Sequence, residues 1–198
     1  MDRHSYGTDR WKIICGGLEG AAGNAVKMLY AGISQEVPYI LTAQRAGEGQ
    51  ELSGASLAVV GTPVDNALLA SLPQAADIPE DGYLVQVTAS PFDPGRQMAV
   101  IAGSSPVQAL YAASHFLNEY LPDARQNSEH HPYFLPLFSR TMPEYRAVRC
   151  PAFAERGIWT WGHCIYDYRR FAQNMAGLGL NAVTIWNDYV PLNLREVV

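Results

Sequence analysis

The chain has 198 residues, 48% of them hydrophobic and 17% charged, with a formal net charge of -5. At roughly 150 residues per domain this allows one full domain and a remainder, enough to bury a sizeable core. The acidic balance, with Lys and Arg nowhere gathered into a stripe, argues against nucleic acid or an anionic membrane surface as partner. No apolar run approaches the ~20 residues of a membrane span. The start, Met1-Asp2-Arg3-His4-Ser5, is polar and lacks the apolar core of a secretion signal. Because a leader can be removed, the compartment stays open between secreted, periplasmic and cytoplasmic.

Trp11 to Cys15 is a short apolar strand, followed by the glycine-rich turn Gly16-Gly17-Leu18-Glu19-Gly20-Ala21-Ala22-Gly23 and a helix that carries Ala25, Met28, Leu29 and Ile33 inward. Such a turn can offer backbone N–H groups to a phosphate, as in a nucleotide-binding oxidoreductase. Here the glycines are Gly17, Gly20 and Gly23, short of the full fingerprint, and the next strand, about Pro38 to Ala43, ends in Gln44 and Arg45 without a ribose-binding acid. The alternative is that small residues let the helix lie close to the sheet. Ser56 to Val60 is another apolar strand, with Pro63 to stop it and Thr62 or Asp65 to cap a short helix containing Leu68, Leu69 and Leu72. Tyr83 to Thr88 alternates, Asp93-Pro94-Gly95 turns, and Met98 to Gly103 returns, so this pair is antiparallel. Ser104 or Ser105 caps the strongest helix, with Pro106 in its first turn, a buried face of Val107, Leu110, Tyr111, Ser114, Leu117 and Leu121, and Pro122 as its end.

Asp123 to Pro132 is polar and loop-like, and its His130-His131 pair is either solvated or a ligand pair. Tyr133 to Phe138 suggests an edge strand interrupted by Pro136, and the stretch from Met142 to Pro151 a connector. Three scattered cysteines, Cys15, Cys150 and Cys164, do not form a disulfide framework. Cys150, His163 and Cys164 lack the paired spacing of a zinc site, so no metal and no cofactor are expected.

From Arg156 onward the pattern changes. Gly157-Ile158-Trp159-Thr160-Trp161 is a strand, Tyr168, Phe171, Met175 and Leu178 fall at helical spacing with Gly177 and Gly179 to close the helix, and Ala182 to Trp186 is again a strand. Strand, helix and strand in so little chain make a parallel crossover, the unit of α/β barrels and doubly wound sheets. In such units function collects where the strands end, which puts Trp161-Gly162-His163 beside Trp186-Asn187-Asp188 on one rim.

Val60-Gly61-Thr62-Pro63 with Asn66 to Leu69, and Gly82 to Val85 through Ile101-Ala102-Gly103 into Val107 to Ala113, together resemble the accessory domain that precedes the barrel in β-N-acetylhexosaminidases and α-glucuronidases. Phe153-Ala154-Glu155-Arg156-Gly157 resembles the Arg-Gly entry to the first barrel strand of hexosaminidase-like hydrolases, and Met175-Ala176 with Leu180 to Val183 their first helix and second strand. The resemblance covers most of the chain from about residue 10 and is specific in order and layout, loose residue by residue. It implies an α+β accessory domain, residues 8–145, with a mixed or antiparallel sheet and helices on one face, followed over residues 150–198 by the first β-α-β of a (β/α)8 barrel.

The same resemblance implies a carbohydrate partner and a sugar-binding role for Arg156, whose planar fork can donate two parallel hydrogen bonds. A structural ion pair near the barrel floor is the alternative. Trp159, Trp161 and Trp186 offer flat apolar faces suited to a pyranose, or to core packing, and His163, Asn187 and Asp188 would line the same rim. Hexosaminidases carry an Asp and an Arg after the first strand and a His-rich second strand end. Trp161-Gly162-His163 and Trp186-Asn187-Asp188 stand there instead, so hexosamine specificity is not implied.

Glycoside hydrolysis needs an acid and a second group held either side of the bond. In that family the acids come from a later barrel strand. Glu155 precedes the first strand and Asp188 lacks an evident partner, so no catalytic residue is assigned and the chain alone is expected not to turn over. An incomplete barrel exposes apolar faces, so the residues after about 150 are expected either to dock on a neighbouring copy or to be locally unstable. A stand-alone carbohydrate-binding or scaffolding domain is the competing function, beside the nucleotide-binding one.

Overall fold

The structure, a computed structural model, describes residues 11–35, 41–47, 49–126, 142–161 and 165–186. It divides into two compact units, Met1–Cys150 and Pro151–Val198.

The first unit is built on a six-stranded sheet. In chain order its elements are β1 (Trp11–Cys15), α1 (Gly20–Ser34), β2 (Leu41–Arg45), β3 (Ser56–Gly61), α2 (Ala67–Ser71), a 3-10 turn (Pro73–Asp77), β4 (Tyr83–Ala89), β5 (Gln97–Gly103), α3 (Pro106–His115), a π turn (Phe116–Tyr120), α4 (Leu121–Gln126) and β6 (Tyr145–Arg149). The strand order is β2-β1-β3-β5-β4-β6. Neighbours from β2 to β5 pair in parallel, whereas β4 runs antiparallel to both β5 and β6. The short Asp93–Gly95 turn forces the β4–β5 reversal, with Val85 opposite Ile101. A mixed sheet results, as the alternation of residues 83–88 and 97–102 predicts.

Every residue of β3 is buried, which is why it reads as an unbroken apolar run rather than an alternating one. One face packs Ile14, Leu57, Val59, Leu84, Met98 and Val100 around Leu69 of α2 and Leu72. On the other face α1 and α3 lie against the sheet and against each other, burying Ala25, Leu29, Ile33, Ala109, Ala113 and Phe116. The expectation of helices on one face is therefore corrected. The two long helices share a face, and α2 covers the other because the near-continuous apolar runs of β1, β3 and β5 leave both faces to be buried. Gly103 sets the approach of α3 to β5, since a Cβ there would overlap the backbone of Ala109.

Several local expectations are corrected as well. Asn66, not Thr62 or Asp65, caps α2, accepting from the Leu69 N–H. Ser105 caps α3 with Pro106 at its first turn, as predicted. Val107, expected on the buried face, is exposed, and Leu117 is half-buried. Pro122 does not end the helix. The backbone shifts register through the π turn, where the Leu121 N–H reaches the Phe116 carbonyl. Pro122 then falls in the first turn of α4, where its missing N–H breaks nothing. The strand expected at 38–43 occupies Leu41–Arg45. The stretch expected as a connector contains β6, which pairs with β4 from Val87↔Tyr145 to Tyr83↔Arg149. The expected edge strand at 133–138 and the His130-His131 pair lie outside the described residues.

The second unit holds β7 (Gly157–Trp161), α5 (Tyr168–Gly177) and β8 (Ala182–Trp186), with β7 and β8 parallel and in register from Gly157↔Ala182 to Trp161↔Trp186. Its described residues supply two strands and one helix, not a closed barrel.

Candidate functional site

The strand–helix–strand of the second unit is pinned at identifiable points. The Asp167 side chain caps α5, accepting from the Arg170 N–H at 2.9 Å. At the other end Gly179 takes φ +75, a left-handed conformation that glycine adopts without penalty. The Gly179 N–H then reaches the Ala176 carbonyl and the Leu180 N–H the Met175 carbonyl, both satisfying carbonyls that the last helical turn leaves open. Met175, buried, sits at the position from which this motif makes its apolar contact.

Arg156 lies at the entry to β7. Its Nε donates to the Gly179 carbonyl at 2.7 Å and its Nη1 to the Phe153 carbonyl. Its backbone N–H donates to Asn181 Oδ1 at 2.8 Å, while Asn181 Nδ2 donates to the Ala154 carbonyl at 2.7 Å. The guanidinium thus ties the turn after α5 to the segment before β7. Nε and Nη1 both donate to backbone carbonyls, at the floor of the unit. Five residues at ~3.3 Å each separate it from Trp161, about 16 Å along the strand. Asn181 was not legible as a partner. Its signal is faint, an Asn between a helix-closing glycine and an apolar run.

At the opposite, carboxyl end of the strands, Trp161 and Trp186 are register partners, so their backbones lie side by side. Trp159, two residues earlier, pairs with Thr184 and is 58% exposed. His163, Asn187 and Asp188 lie outside the described residues. Of the seven residues expected to bind sugar, Trp161 and Trp186 stand at the carboxyl end of the β7–β8 pair, Trp159 in mid-strand, and Arg156 just before the amino end of β7. An exposed indole offers a flat apolar face with a polar edge, suited to stacking on the C–H face of a sugar ring. On the other face of the pair, Ile158 (36% exposed), Val183 (40%) and Ile185 (38%) leave apolar surface in contact with solvent.

The glycine-rich turn of the first unit is the other candidate. Its Gly17 N–H donates to Asp65 Oδ2 at 3.3 Å. Asp65 Oδ1 in turn accepts from the Thr62 N–H at 2.7 Å and the Thr62 hydroxyl at 2.9 Å. One N–H of the turn is therefore taken by a carboxylate of the protein itself, whose charge disfavours a phosphate beside it. A Cβ at Gly16 would overlap the Asp65 backbone, so the small residues there serve close packing of two loops. Cys15, at the end of β1, is buried, and burial pushes its thiol pKa up, which leaves a neutral S–H that donates to the Gln44 carbonyl at 3.4 Å. Among the described residues no cluster of His, Cys, Asp and Glu has the makings of a metal site, and Cys150 is exposed with its thiol free.

No family model matches the chain, and no curated protein matches it. Among solved structures, a GH138 enzyme targeting pectin rhamnogalacturonan II superposes on 90% of this chain with a TM-score of 0.45 and 11% sequence identity. The chain spans 19% of that enzyme's length.

Proposed function

We propose that this chain carries the accessory domain and the opening barrel strands of a carbohydrate-active hydrolase, with the strand-end tryptophans as a sugar-facing surface. The observation that carries this is the parallel β7–α5–β8 unit, with exposed Trp159 in the middle of β7 and Trp161 and Trp186 paired at the carboxyl ends of its strands. In a closed barrel, neighbouring strands and helices cover the faces on which Ile158, Val183 and Ile185 stand, so their exposure is what an opened barrel leaves behind. The sugar would stack on Trp159 and on Trp161 and Trp186, with His163, Asn187 and Asp188 supplying polar contacts. Arg156, with Nε and Nη1 held by the Gly179 and Phe153 carbonyls, sits at the floor of the unit. With no catalytic carboxylate pair assigned, the chain by itself binds without turning over. A stand-alone carbohydrate-binding domain shares the same surface and differs only in lacking a hydrolytic partner region.

A fluorescence titration tests the surface, using neutral, acidic and N-acetylated oligosaccharides against the full chain and its Trp159→Ala variant. Saturable quenching that disappears in the variant is expected. Absence of any response across the panel would remove the sugar-facing surface from the proposal. Turnover of aryl glycosides that depends on Glu155 or Asp188 would overturn the assignment of the chain as inactive alone.

A further inference from the structure

A cluster of titratable side chains lies on the helix face of the first unit. His115, 3% exposed, ends α3 where the helix widens into the π turn. Its Nδ1 is 3.1 Å from the Tyr83 hydroxyl on β4, and its Nε2 is 2.7 Å from the Tyr145 hydroxyl on β6. Both tyrosine rings meet the imidazole edge to face. Tyr120 of the π turn stacks on Phe116, packs on Tyr145 at 4.9 Å between ring centres, and donates its hydroxyl to the Pro143 carbonyl just before β6. The charged groups around the imidazole are Glu119 of the π turn, with Oε2 3.6 Å from Nε2, and Arg149 of β6, while Asp123 of α4 acts on Tyr145. Strand β6 bonds to the sheet through β4, the one strand it pairs with among the described residues, so its hold depends heavily on this cluster.

We propose that His115 is a latch for β6: neutral, it fastens the strand to the end of α3, and protonated on acidification it releases it. The neutral ring has one N–H and one lone pair, so one tyrosine accepts from it and the other donates to it. The imidazolium has two N–H groups. The tyrosine that donated then loses its acceptor, and a cation stands among buried rings. Burial, the largest influence, lowers the His115 pKa below 6.5. Glu119 opposes this and Arg149 adds to it. Burial likewise raises Tyr83, Tyr120 and Tyr145, so all three keep their protons throughout the acid range.

The sign follows from the two states. With strand β6 open, the imidazole binds a proton near its ordinary pKa of ~6.5. With the strand latched it binds one less readily. The stabilisation is therefore complete above that value and is lost as pH falls below it, until the latched form also takes up the proton.

Native-state hydrogen exchange on the full chain between pH 7 and pH 5, corrected for intrinsic rates, tests this. The opening constant of amides 145–149 should rise by up to about tenfold per pH unit below ~6.5, the limit for uptake of one proton. In His115→Gln, whose side chain cannot charge, the same amides should open with no such dependence. Flat behaviour in the wild-type chain, or an identical slope in the variant, would overturn the latch. Should His115→Gln fail to fold, an NMR titration of the His115 ring in the unaltered chain decides: a midpoint below 6.5 supports the latch and a midpoint at or above it refutes it.

Discussion

Asn66 is fully buried at the carboxyl ends of β1 and β3, and its carboxamide stitches three backbone segments together. Nδ2 donates to the Ile14 carbonyl at 3.1 Å and the Val60 carbonyl at 2.9 Å, and Oδ1 accepts from the Leu69 N–H at 3.1 Å. Asn66→Ala deletes all three bonds and leaves each backbone partner without this contact. At about 1 kcal/mol for each carbonyl and roughly 1–2 kcal/mol for the lost helix cap, the expected loss is about 3–4 kcal/mol. Asn66→Asp keeps the acceptor for Leu69 but aims a carboxylate oxygen at two carbonyl oxygens. In the native state that repulsion raises the carboxyl pKa above the unfolded ~3.9, so the variant should be weakest at neutral pH and recover as acid protonates it.

Hydrogen exchange of β3 amides reads this out, because it isolates the first unit from the second. For amides that exchange only by global opening, the alanine variant should exchange on the order of 10²–10³ times faster than the parent. A loss below about 1 kcal/mol, or an aspartate variant more stable at pH 7 than at pH 4, would refute the argument that this side chain joins the strand ends.

Two further outcomes follow from close contacts and from open edges. Gly103→Ala places a methyl group on the backbone of Gln108 and Ala109, which cannot move without lifting α3, so it should cost more than about 2 kcal/mol in urea denaturation. Gly47→Ala, where nothing stands within 4 Å, should stay within about 0.5 kcal/mol. In a dilute sample shown to be monomeric by sedimentation, amides of β7 and β8 should exchange far sooner than those of α3, and Arg156→Ala should widen that gap without touching β3. Equal protection in the two units, or an Arg156→Ala effect spread over both, would contradict the opened-barrel proposal and the floor role of Arg156.

Much of the scaffold was legible in the sequence because it rests on local rules. The unbroken apolar run of β3 announces a strand buried on both faces, and the turn at Asp93–Gly95 is too short for anything but an antiparallel return. Ser105 before Pro106 marks a helix start, and Gly179 two residues after Gly177 marks a helix stop. The parallel pairing of β7 with β8 follows from the intervening helix alone.

What only the tertiary structure decided depends on partners distant in the chain. Strand β6 has the composition of a loop, with Arg146 and Arg149 among its five residues, and becomes a strand because β4 offers it an unpaired edge. Pro122 looks like a helix terminator, yet a π turn upstream removes the conflict that would stop the helix. His115 and Asn181 carry no motif, since each acts by completing hydrogen bonds to groups 25 or more residues away, and Asn66, a helix cap by type, reaches Ile14 only through the fold. Arg156 shows the limit most clearly. Its type and position suit a sugar-binding fork, and only the fold brings the Phe153 and Gly179 carbonyls to its Nη1 and Nε.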